Sequence, residues 1–191
     1  IIDFQMDEKP YSIFISKAVC FPQAYAAAIP VFQKLRQYPK TTVIDIGGFT
    51  ADYLIMKNGE PDLAACDSLE NGVITLYNRI KAKINADLDM LLDESDIDAV
   101  LKEQQTEYDD TVIHIINELA QAFIDDLFGK LRERMIDLRS GKTVFVGGGS
   151  ILLKKQIENS GKVGSAIFVE SISANTRGYE LLYQASCGGD R

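Results

Sequence analysis

The chain has 191 residues, of which 46% are hydrophobic and 25% charged, a globular composition that excludes wholesale disorder. Acidic residues outnumber basic ones 28 to 20, and the resulting net charge of −8 argues against direct binding to nucleic acid or to an anionic membrane surface. No run approaches the roughly 18–20 apolar residues that a membrane span requires. We therefore expect neither nucleic acid nor membrane among the direct partners.

The cysteines and the first residue give expectations about the compartment of the protein and about whether the chain is a fragment. Cys20, Cys66 and Cys187 are far apart and lack C-x-x-C spacing, which is typical of reduced thiols in a cytoplasmic protein and not of a disulfide framework or zinc site. The chain begins at Ile1 with no charged and then apolar leader. We expect no signal peptide within these residues, and we expect the chain to be a piece of a longer protein.

The first forty residues predict a hairpin followed by a broken helix. Residues 1–22 alternate loosely between apolar and polar side chains, which predicts two strands with a turn at Lys9-Pro10. Over residues 23–38 the apolar spacing becomes helical. Pro30 removes a backbone donor in the middle of that pattern and predicts a break there.

Three strands joined by two tight turns come next and predict an antiparallel meander. The strands cover Thr41–Ile46, Thr50–Met56 and Glu60–Cys66, and the first turn is Gly47-Gly48. Asn58-Gly59 is the strongest short hairpin signal, since both central residues of a type I′ turn need a positive φ.

Helices dominate the middle of the chain, and strands alternate with helices at its end. Alternation of this kind predicts right-handed crossovers and a parallel part of the sheet. The whole order predicts an α/β fold of the ribonuclease H-like type, with a mixed five-stranded sheet and a small helical insertion. We expect helices at Leu69–Ile84, Ser95–Gln104, Asp109–Leu138, Ser150–Asn159 and Asn175–Ala185, strands at Thr143–Val146 and Ala166–Val169, and a frayed tail from Gly188 to Arg191.

The first candidate motif for chemistry runs from Asp45 to Asp52. A carboxylate ends a buried strand there, and two glycines turn the chain tightly enough to expose backbone N–H groups to phosphate oxygens. An aspartate at a strand end can also hold a hydrated Mg²⁺, which prefers few carboxylates and several waters. A glycine-rich turn with aspartates that only bond local amides is an equally good interpretation of this motif taken alone.

The second candidate motif runs from Val144 to Ile151, where a buried strand passes through Gly147, Gly148 and Gly149 into a helix. The first N–H groups of a helix favour an anion. The motif is neither a G-x-G-x-x-G dinucleotide fingerprint nor a P-loop. Close packing between strand and helix is the alternative reason for three glycines.

Together the two motifs resemble the actin-like ATPase superfamily, and most closely the ParM/StbA-type plasmid-segregation actins of bacteria. The family's second phosphate loop, D-[LI]-G-G-x-T-x-D, is matched by Asp45 to Asp52. Its adenosine motif, an apolar strand followed by G-G-G-[AS], is matched by Val146 to Ser150. Gln23 precedes Asp45 by 22 residues, which resembles the position of the residue that orients the attacking water.

The resemblance covers nearly the whole chain but only the second half of the family's fold. No first phosphate loop of D-x-G-x-x-x-x-K/N type occurs before residue 41. The resemblance implies that residues 1–40 are the closing strands of domain I and the connecting helix. It implies that residues 41–69 and 108–187 are domain IIA, and that residues 70–107 are the helical insertion of domain IIB.

The resemblance implies an ATP hydrolase that uses ATP (or GTP) with Mg²⁺ and polymerises into filaments. It further implies plasmid or mobile-element segregation through a DNA-binding adaptor protein. Asp45 would hold the Mg²⁺ through water and Gln23 would be catalytic beside it, whereas the fragment alone would be inactive. The implied nucleotide-binding residues are Gly47, Gly48, Phe49, Thr50, Asp52, Gly147, Gly148, Gly149 and Ser150.

Two alternatives stay open. One is a non-polymerising member of the same superfamily, such as a sugar kinase or a chaperone-like ATPase. The other is a non-catalytic interaction module that has kept the fold. The acidic run between Asp87 and Asp98 lacks a calcium-loop pattern and predicts a solvated surface.

Overall fold

A computed structural model describes residues 1–171 and 173–187, and within them the chain forms seven strands and eight α-helices. The predicted fraying of residues 188–191 lies outside the described residues. The strands are β1 (Ile2–Met6), β2 (Lys9–Ile13), β3 (Lys40–Ile46), β4 (Ala51–Lys57), β5 (Glu60–Leu69), β6 (Lys142–Val146) and β7 (Ala166–Phe168). The helices are α1 (Gln23–Ala28), α2 (Phe32–Leu35), α3 (Val73–Leu88), α4 (Glu94–Leu101), α5 (Asp110–Glu133), α6 (Gly148–Leu152), α7 (Lys154–Asn159) and α8 (Ala174–Cys187).

The central sheet has the predicted mixed topology. Its strand order is β5-β4-β3-β6-β7, with antiparallel pairs from β3 to β5 and parallel pairs from β3 to β7. The Asn58-Gly59 turn has the expected positive φ angles of 52° and 84°. Because β3 and β6 run parallel, the residues that follow them meet at one edge of the sheet.

Each face of the sheet carries its own core, since successive side chains of a strand point to opposite faces. Ile44, Ile46 and Phe145 belong to the first core, which α3 and α5 cover. Val43 and Val146 belong to the second core, to which α1 and the start of α8 contribute alanines. We call these the α3 face and the α8 face.

The long helix α5 ends earlier than its apolar spacing predicts. The Asp109 carboxylate caps its first turn by accepting from the backbone N–H groups of Thr111 and Val112. The helix stops at Glu133, and Met135 has a φ of 60° and is 87% exposed. The prediction of a helix to residue 138 is therefore wrong: Met135 continues the apolar spacing but is exposed, and Leu138 is buried only after the helix has ended.

Other predicted boundaries also move. Leu69 pairs with Ala51 in the sheet, so β5 is longer than predicted and α3 begins only at Val73. The helix predicted over residues 150–159 is interrupted at Leu153, where ψ is 16°. Helix α4 is capped by Asp93 and ends at residue 101, before the predicted end at residue 104.

The N-terminal hairpin stands apart from the sheet. Strands β1 and β2 pair with each other, and residues 1–20 are all exposed. Its turn lies at Asp7-Glu8, both with positive φ, and not at the predicted Lys9-Pro10, which is part of β2. The predicted break at Pro30 is confirmed, since a 3₁₀ turn separates α1 from α2 there.

Two of the three cysteines can be placed. Cys20 and Cys66 are exposed free thiols, as predicted, while the side chain of Cys187 lies outside the description. Among the helices of the described residues, none has both the length and the hydropathy needed to cross a membrane.

Candidate functional site

The two glycine motifs lie side by side in the structure. Asp45 and Val146 are register partners in the parallel pair of β3 and β6, so the turns that follow them leave the same edge of the sheet. Gly47, Gly48 and the segment 147–149 line one cavity of about 500 Å³ on the α3 face. The structure therefore brings the two motifs together at one edge of the sheet.

The first glycine turn is fixed by bonds within it and by the start of α3. The Gly47 N–H donates to the Thr50 carbonyl at 2.8 Å. The carbonyls of Gly47 and Gly48 accept from the N–H groups of Val73 and Ile74 at 3.0 and 2.9 Å. These bonds fix the shape of the turn and attach it to the first residues of α3.

Four backbone N–H groups at the two turns are left without a partner. Within the described part of the chain, the N–H groups of Gly48, Phe49, Gly148 and Gly149 donate to no carbonyl or carboxylate. Unpaired donors clustered on glycine turns are suited to phosphate oxygens. The Phe49 side chain itself is 77% exposed.

Two of the three glycines of the second motif are required by close packing. Gly147 has a φ of 85°, and a Cβ there would lie 2.2 Å from the Asp45 Oδ1. A Cβ at Gly149 would lie 2.7 Å from the Ile46 carbonyl oxygen. Gly148 has no atom within 4 Å of its added Cβ, so packing does not explain that glycine.

Asp45 belongs to the α8 face of the sheet, and its Oδ1 lies beside Gly147, which lines the cavity. Its side chain is 3% exposed, and Asp52 is its cross-strand partner. The Asn175 Nδ2 donates to the Asp45 Oδ2 at 3.1 Å. Burial raises the pKa of the Asp45 carboxyl, the Asn175 hydrogen bond lowers it in part, and the charge of Asp52 raises it further.

The surroundings of Asp45 fit a hydrated Mg²⁺. One carboxylate is fixed at the strand end, a second lies across the pair on β4, and the Asn175 Oδ1 is a buried acceptor without a partner among the described residues. Mg²⁺ in proteins keeps several waters, and those waters donate to such acceptors.

The other predicted site residues are not all at the cavity. The Thr50 Oγ1 donates to the Asp52 Oδ2 at 3.4 Å, on the strand that leaves the first turn. Ser150 is fully buried, and its Oγ bonds to no atom in the described part of the chain. Gln23 is exposed at the first position of α1 and does not line the cavity.

Sequence reasoning missed one wall of the cavity, which α3 and α4 provide. The Tyr77 hydroxyl donates to the Asp98 Oδ1 at 2.5 Å, and the Lys102 Nζ donates to the Asp98 Oδ2 at 2.6 Å. Burial, and then the hydrogen bond to Asp98 and the charge of that carboxylate, raises the pKa of Tyr77 far above its usual range, so its hydroxyl stays a donor. The interpretation of the acidic run as solvated surface is wrong for Asp98, and its four-residue spacing from Lys102 was the available signal.

Sequence reasoning also missed Asn175. It was expected only as the start of the last helix, yet it contacts Asp45 across 130 positions. No local pattern could have indicated that contact.

Comparison with known proteins identifies the family. The family model "Archaeal actin homologue MreB-like, C-terminal" matches residues 43–159, which include both glycine motifs. The chain belongs to this family. The match begins after Gln23 and ends before Asn175.

Solved structures of actin homologues share the fold. The archaeal actin homologue Ta0583 in complex with ADP is 22% identical with a TM-score of 0.62, over 86% of this chain and 57% of that one. A non-polymerisable quadruple mutant of pCBH ParM is 16% identical with a TM-score of 0.67, over 94% and 58%. MreB 5 of Spiroplasma citri bound to AMPPNP is 15% identical with a TM-score of 0.64, over 87% and 59%. No curated protein matches the sequence.

These findings confirm the predicted actin-like fold and its restriction to a C-terminal part. The chain spans less than two thirds of the length of these relatives. The narrower likeness to plasmid-segregation actins stays a prediction.

Proposed function

We propose that this chain is the second, nucleotide-binding half of an actin-like ATPase that binds ATP (or GTP) with Mg²⁺. The observation that carries the proposal is the cavity between the two glycine turns, with four unpaired N–H groups at its edge. The Ta0583 and Spiroplasma citri structures, which carry ADP and AMPPNP, support the same type of ligand.

The residues would divide the work of phosphoryl transfer, which depends on positioning and electrostatics. The first turn, including Phe49 and Thr50, would bind phosphate oxygens through backbone N–H groups, with Asp52 supporting that hairpin. The second turn would admit the adenosine. Ser150, which is buried, would not contact the nucleotide and would only support the backbone of that turn. Asp45 would hold a hydrated Mg²⁺, which neutralises phosphate charge when bound.

Gln23 is proposed to orient the attacking water. It begins α1, and α1 is pressed against α8, since a Cβ at Gly178 would lie 1.8 Å from the Ala26 carbonyl oxygen. Helix α8 also carries Asn175, which donates to Asp45. The packing of α1 against α8 therefore links the position of Gln23, the predicted water-orienting residue, to that of Asp45, the predicted metal-binding residue. The proposed catalytic pair therefore lies on the α8 side of the sheet edge.

The domain assignment is part of the same proposal. Residues 1–40 would complete a first domain, since the hairpin of residues 1–20 exposes its apolar side chains. Residues 41–69 and 108–187 would form domain IIA. Residues 70–107 would form domain IIB, whose helices supply the Tyr77–Asp98 wall of the cavity.

The proposal also includes polymerisation and DNA segregation by the complete protein. We propose filaments in the presence of ATP and coupling to plasmid or mobile-element DNA through a DNA-binding adaptor. The description of the pCBH ParM relative as a non-polymerisable mutant supports self-association in this fold. The chain's net charge of −8 favours an adaptor over direct DNA contact.

The test uses the complete protein that carries this chain. Fluorescent ATP and GTP analogues should bind in Mg²⁺, phosphate should be released, and sedimentable filaments should form with the triphosphate. Absence of binding to either analogue would overturn the proposal. Binding without phosphate release would favour the non-catalytic module, and release that requires an added sugar would favour a kinase.

The isolated 191-residue chain gives a second measurement. It should bind ATP more weakly than micromolar by calorimetry, since part of the phosphate donors would be missing and the ordering cost would be poorly offset. Micromolar or tighter binding would show that this half alone supplies the phosphate site.

A further inference from the structure

Asn175 joins the last helix to the buried carboxylate at the end of β3. Among the described residues it is the side chain that donates to Asp45, through its Nδ2 to the Oδ2 at 3.1 Å. A hydrogen bond to an ionised carboxylate is shorter and stronger than one between neutral groups, and it fixes the orientation of the acceptor. Asn175 therefore determines how the Asp45 carboxylate is turned.

That orientation bears on the glycine turn. With the Oδ2 engaged by the amide, the other oxygen of Asp45 lies over Gly147, where an added Cβ would be only 2.2 Å from the Oδ1. Gly147 lines the cavity that the nucleotide would occupy. The amide thus leaves the Oδ1 of Asp45 at the turn.

Helix α8 is held firmly enough to act as the reference for this contact. Ala174 is 4% exposed in the core of the α8 face. Gly178 allows so close an approach to α1 that a Cβ there would overlap the Ala26 carbonyl. Asn175 lies between these two fixed points, so its amide has a defined position.

The second atom of the same amide is also informative. The Asn175 Oδ1 is buried and has no hydrogen-bond partner among the described residues. A buried acceptor without a partner costs stability and calls for a function. Beside a carboxylate, it is placed to accept from a metal-bound water.

We infer that Asn175 is a positioning residue, whose amide orients the Asp45 carboxylate and accepts from the water shell of a nucleotide-bound Mg²⁺. This inference rests on the proposed function. It assigns α8, which lies outside the matched family region, a direct part in metal binding. The alternative is that the amide only satisfies a buried carboxylate.

The first experiment measures the gain in nucleotide affinity that Mg²⁺ provides. A fluorescent ATP analogue is titrated into the complete protein in Mg²⁺ and, separately, in EDTA. Asn175→Ala should reduce the ratio of the two affinities roughly tenfold, the size of one hydrogen bond to a charged group, while affinity in EDTA stays within about twofold. Thr176→Ala, an exposed neighbour on α8, should keep the wild-type ratio.

The second experiment separates orientation from stability. The exchange variant Asp45→Asn/Asn175→Asp keeps an amide–carboxylate pair but moves the carboxylate to α8. It should recover the thermal midpoint lost in Asn175→Ala and should not recover the Mg²⁺-dependent gain. Because Asp45→Asn alone also lowers the Mg²⁺-dependent gain, Asn175→Ser, which lacks the amide but leaves Asp45 in place, gives the Mg²⁺ measurement if Asn175→Ala fails to fold: a reduced ratio is expected, and a wild-type ratio would overturn the role of Asn175.

The outcomes separate the two proposals. A wild-type Mg²⁺ ratio in Asn175→Ala, or its recovery in the exchange variant, would overturn the role of Asn175 while nucleotide binding by the wild type stands. A wild type that binds no nucleotide in either condition would overturn the proposed function and this inference with it.

Discussion

The two faces of the central sheet are built for different ligands, although the same two strands supply both. On the α3 face, glycine turns and unpaired N–H groups border an open cavity. On the α8 face, Asp45 is buried with Asp52 as its cross-strand partner and is bonded by Asn175. The glycine N–H groups therefore lie on the α3 face, where Glu94, Asp98, Glu170 and Lys102 also line the cavity, and the Asp45 carboxylate lies on the α8 face.

The alternation of strand side chains produces this separation. Asp45 lies one residue before Ile46, so its side chain points away from the core that Ile46 joins. Gly47 and Gly48 then turn the chain toward α3. Phosphate binding and metal binding should consequently be separable by mutation, except at Gly147, which contacts both faces.

The largest effect is expected at that shared position. Gly147→Ala places a Cβ against the Asp45 Oδ1 on a backbone with a φ of 85°. Strain of this type costs roughly 1–3 kcal/mol, and the shift should disturb both turns. We expect a lower thermal midpoint and loss of nucleotide affinity in Mg²⁺ and in EDTA alike, measured by thermal unfolding and analogue binding.

Gly148→Ala is the matched control, since its Cβ meets no atom within 4 Å. It should change the free energy of unfolding by less than about 0.5 kcal/mol. Equal destabilisation by the two variants would contradict the contact between the faces.

The next effect should be confined to the α8 face. Asp45→Asn removes the charge but keeps the side-chain volume and an acceptor for Asn175. Affinity for the nucleotide in Mg²⁺ should fall roughly 10- to 100-fold and turnover should fall with it, because a charged contact to the water shell is lost. Affinity in EDTA should be unchanged, and Asp52→Asn should have a smaller effect on the Mg²⁺ dependence.

The same variant should be more stable than the wild type at pH 7. Burial raises the folded pKa of Asp45 above its ordinary value of 3.8, so the folded state binds this proton more tightly than the unfolded state. Wild-type stability therefore falls as pH rises from that value through the folded pKa. Thermal unfolding should show a higher midpoint for Asp45→Asn than for the wild type at pH 7, and equal midpoints below about pH 4. A higher midpoint that persists in acid would contradict a raised pKa of Asp45 as the cause.

Local patterns allowed the sheet and its glycine turns to be predicted. Each of these features is specified within a few residues: the β-branched runs, the Asn58-Gly59 turn and the two glycine clusters. The pairing of β3 with β6 follows from the handedness rule for crossovers between parallel strands. Helix ends were predicted less well. Apolar residues after α5 continued its spacing, so the end of that helix was predicted too late. Leu69 fitted the spacing of α3 although it pairs in the sheet, so the start of that helix was predicted too early.

Contacts between distant segments were beyond sequence reasoning. Asn175 reaches Asp45 across 130 positions, and Tyr77 meets Asp98 only because α3 and α4 fold onto one cavity. A side chain's partner in such cases depends on tertiary packing that no periodicity records. The predicted roles of Gln23 and Ser150 remain predictions.

Substitution of Gln23 should change the rate of hydrolysis without changing binding or stability. Because the side chain is exposed, Gln23→Ala should leave stability and nucleotide affinity nearly unchanged. An amide that only orients water contributes in the transition state, so single-turnover hydrolysis should fall roughly 10- to 10³-fold, and filaments should persist longer. Hydrolysis at the wild-type rate would show that Gln23 is simply the first residue of α1.

The smallest effect is expected at the far wall of the cavity. Tyr77→Phe removes the hydroxyl that donates to Asp98 but leaves the Lys102 contact to the same carboxylate. Loss of one partly buried hydrogen bond costs about 1 kcal/mol, which lowers the thermal midpoint by roughly 2–4 °C in a protein of this size. Nucleotide affinity should fall less than tenfold and equally in Mg²⁺ and EDTA, because this wall belongs to the α3 face. Tyr11→Phe, on the exposed hairpin, is the control and should change neither quantity. A selective loss of the Mg²⁺-dependent gain in Tyr77→Phe would contradict the division between the faces, since Mg²⁺ binding would then depend on the far wall of the cavity and not only on Asp45 and Asn175.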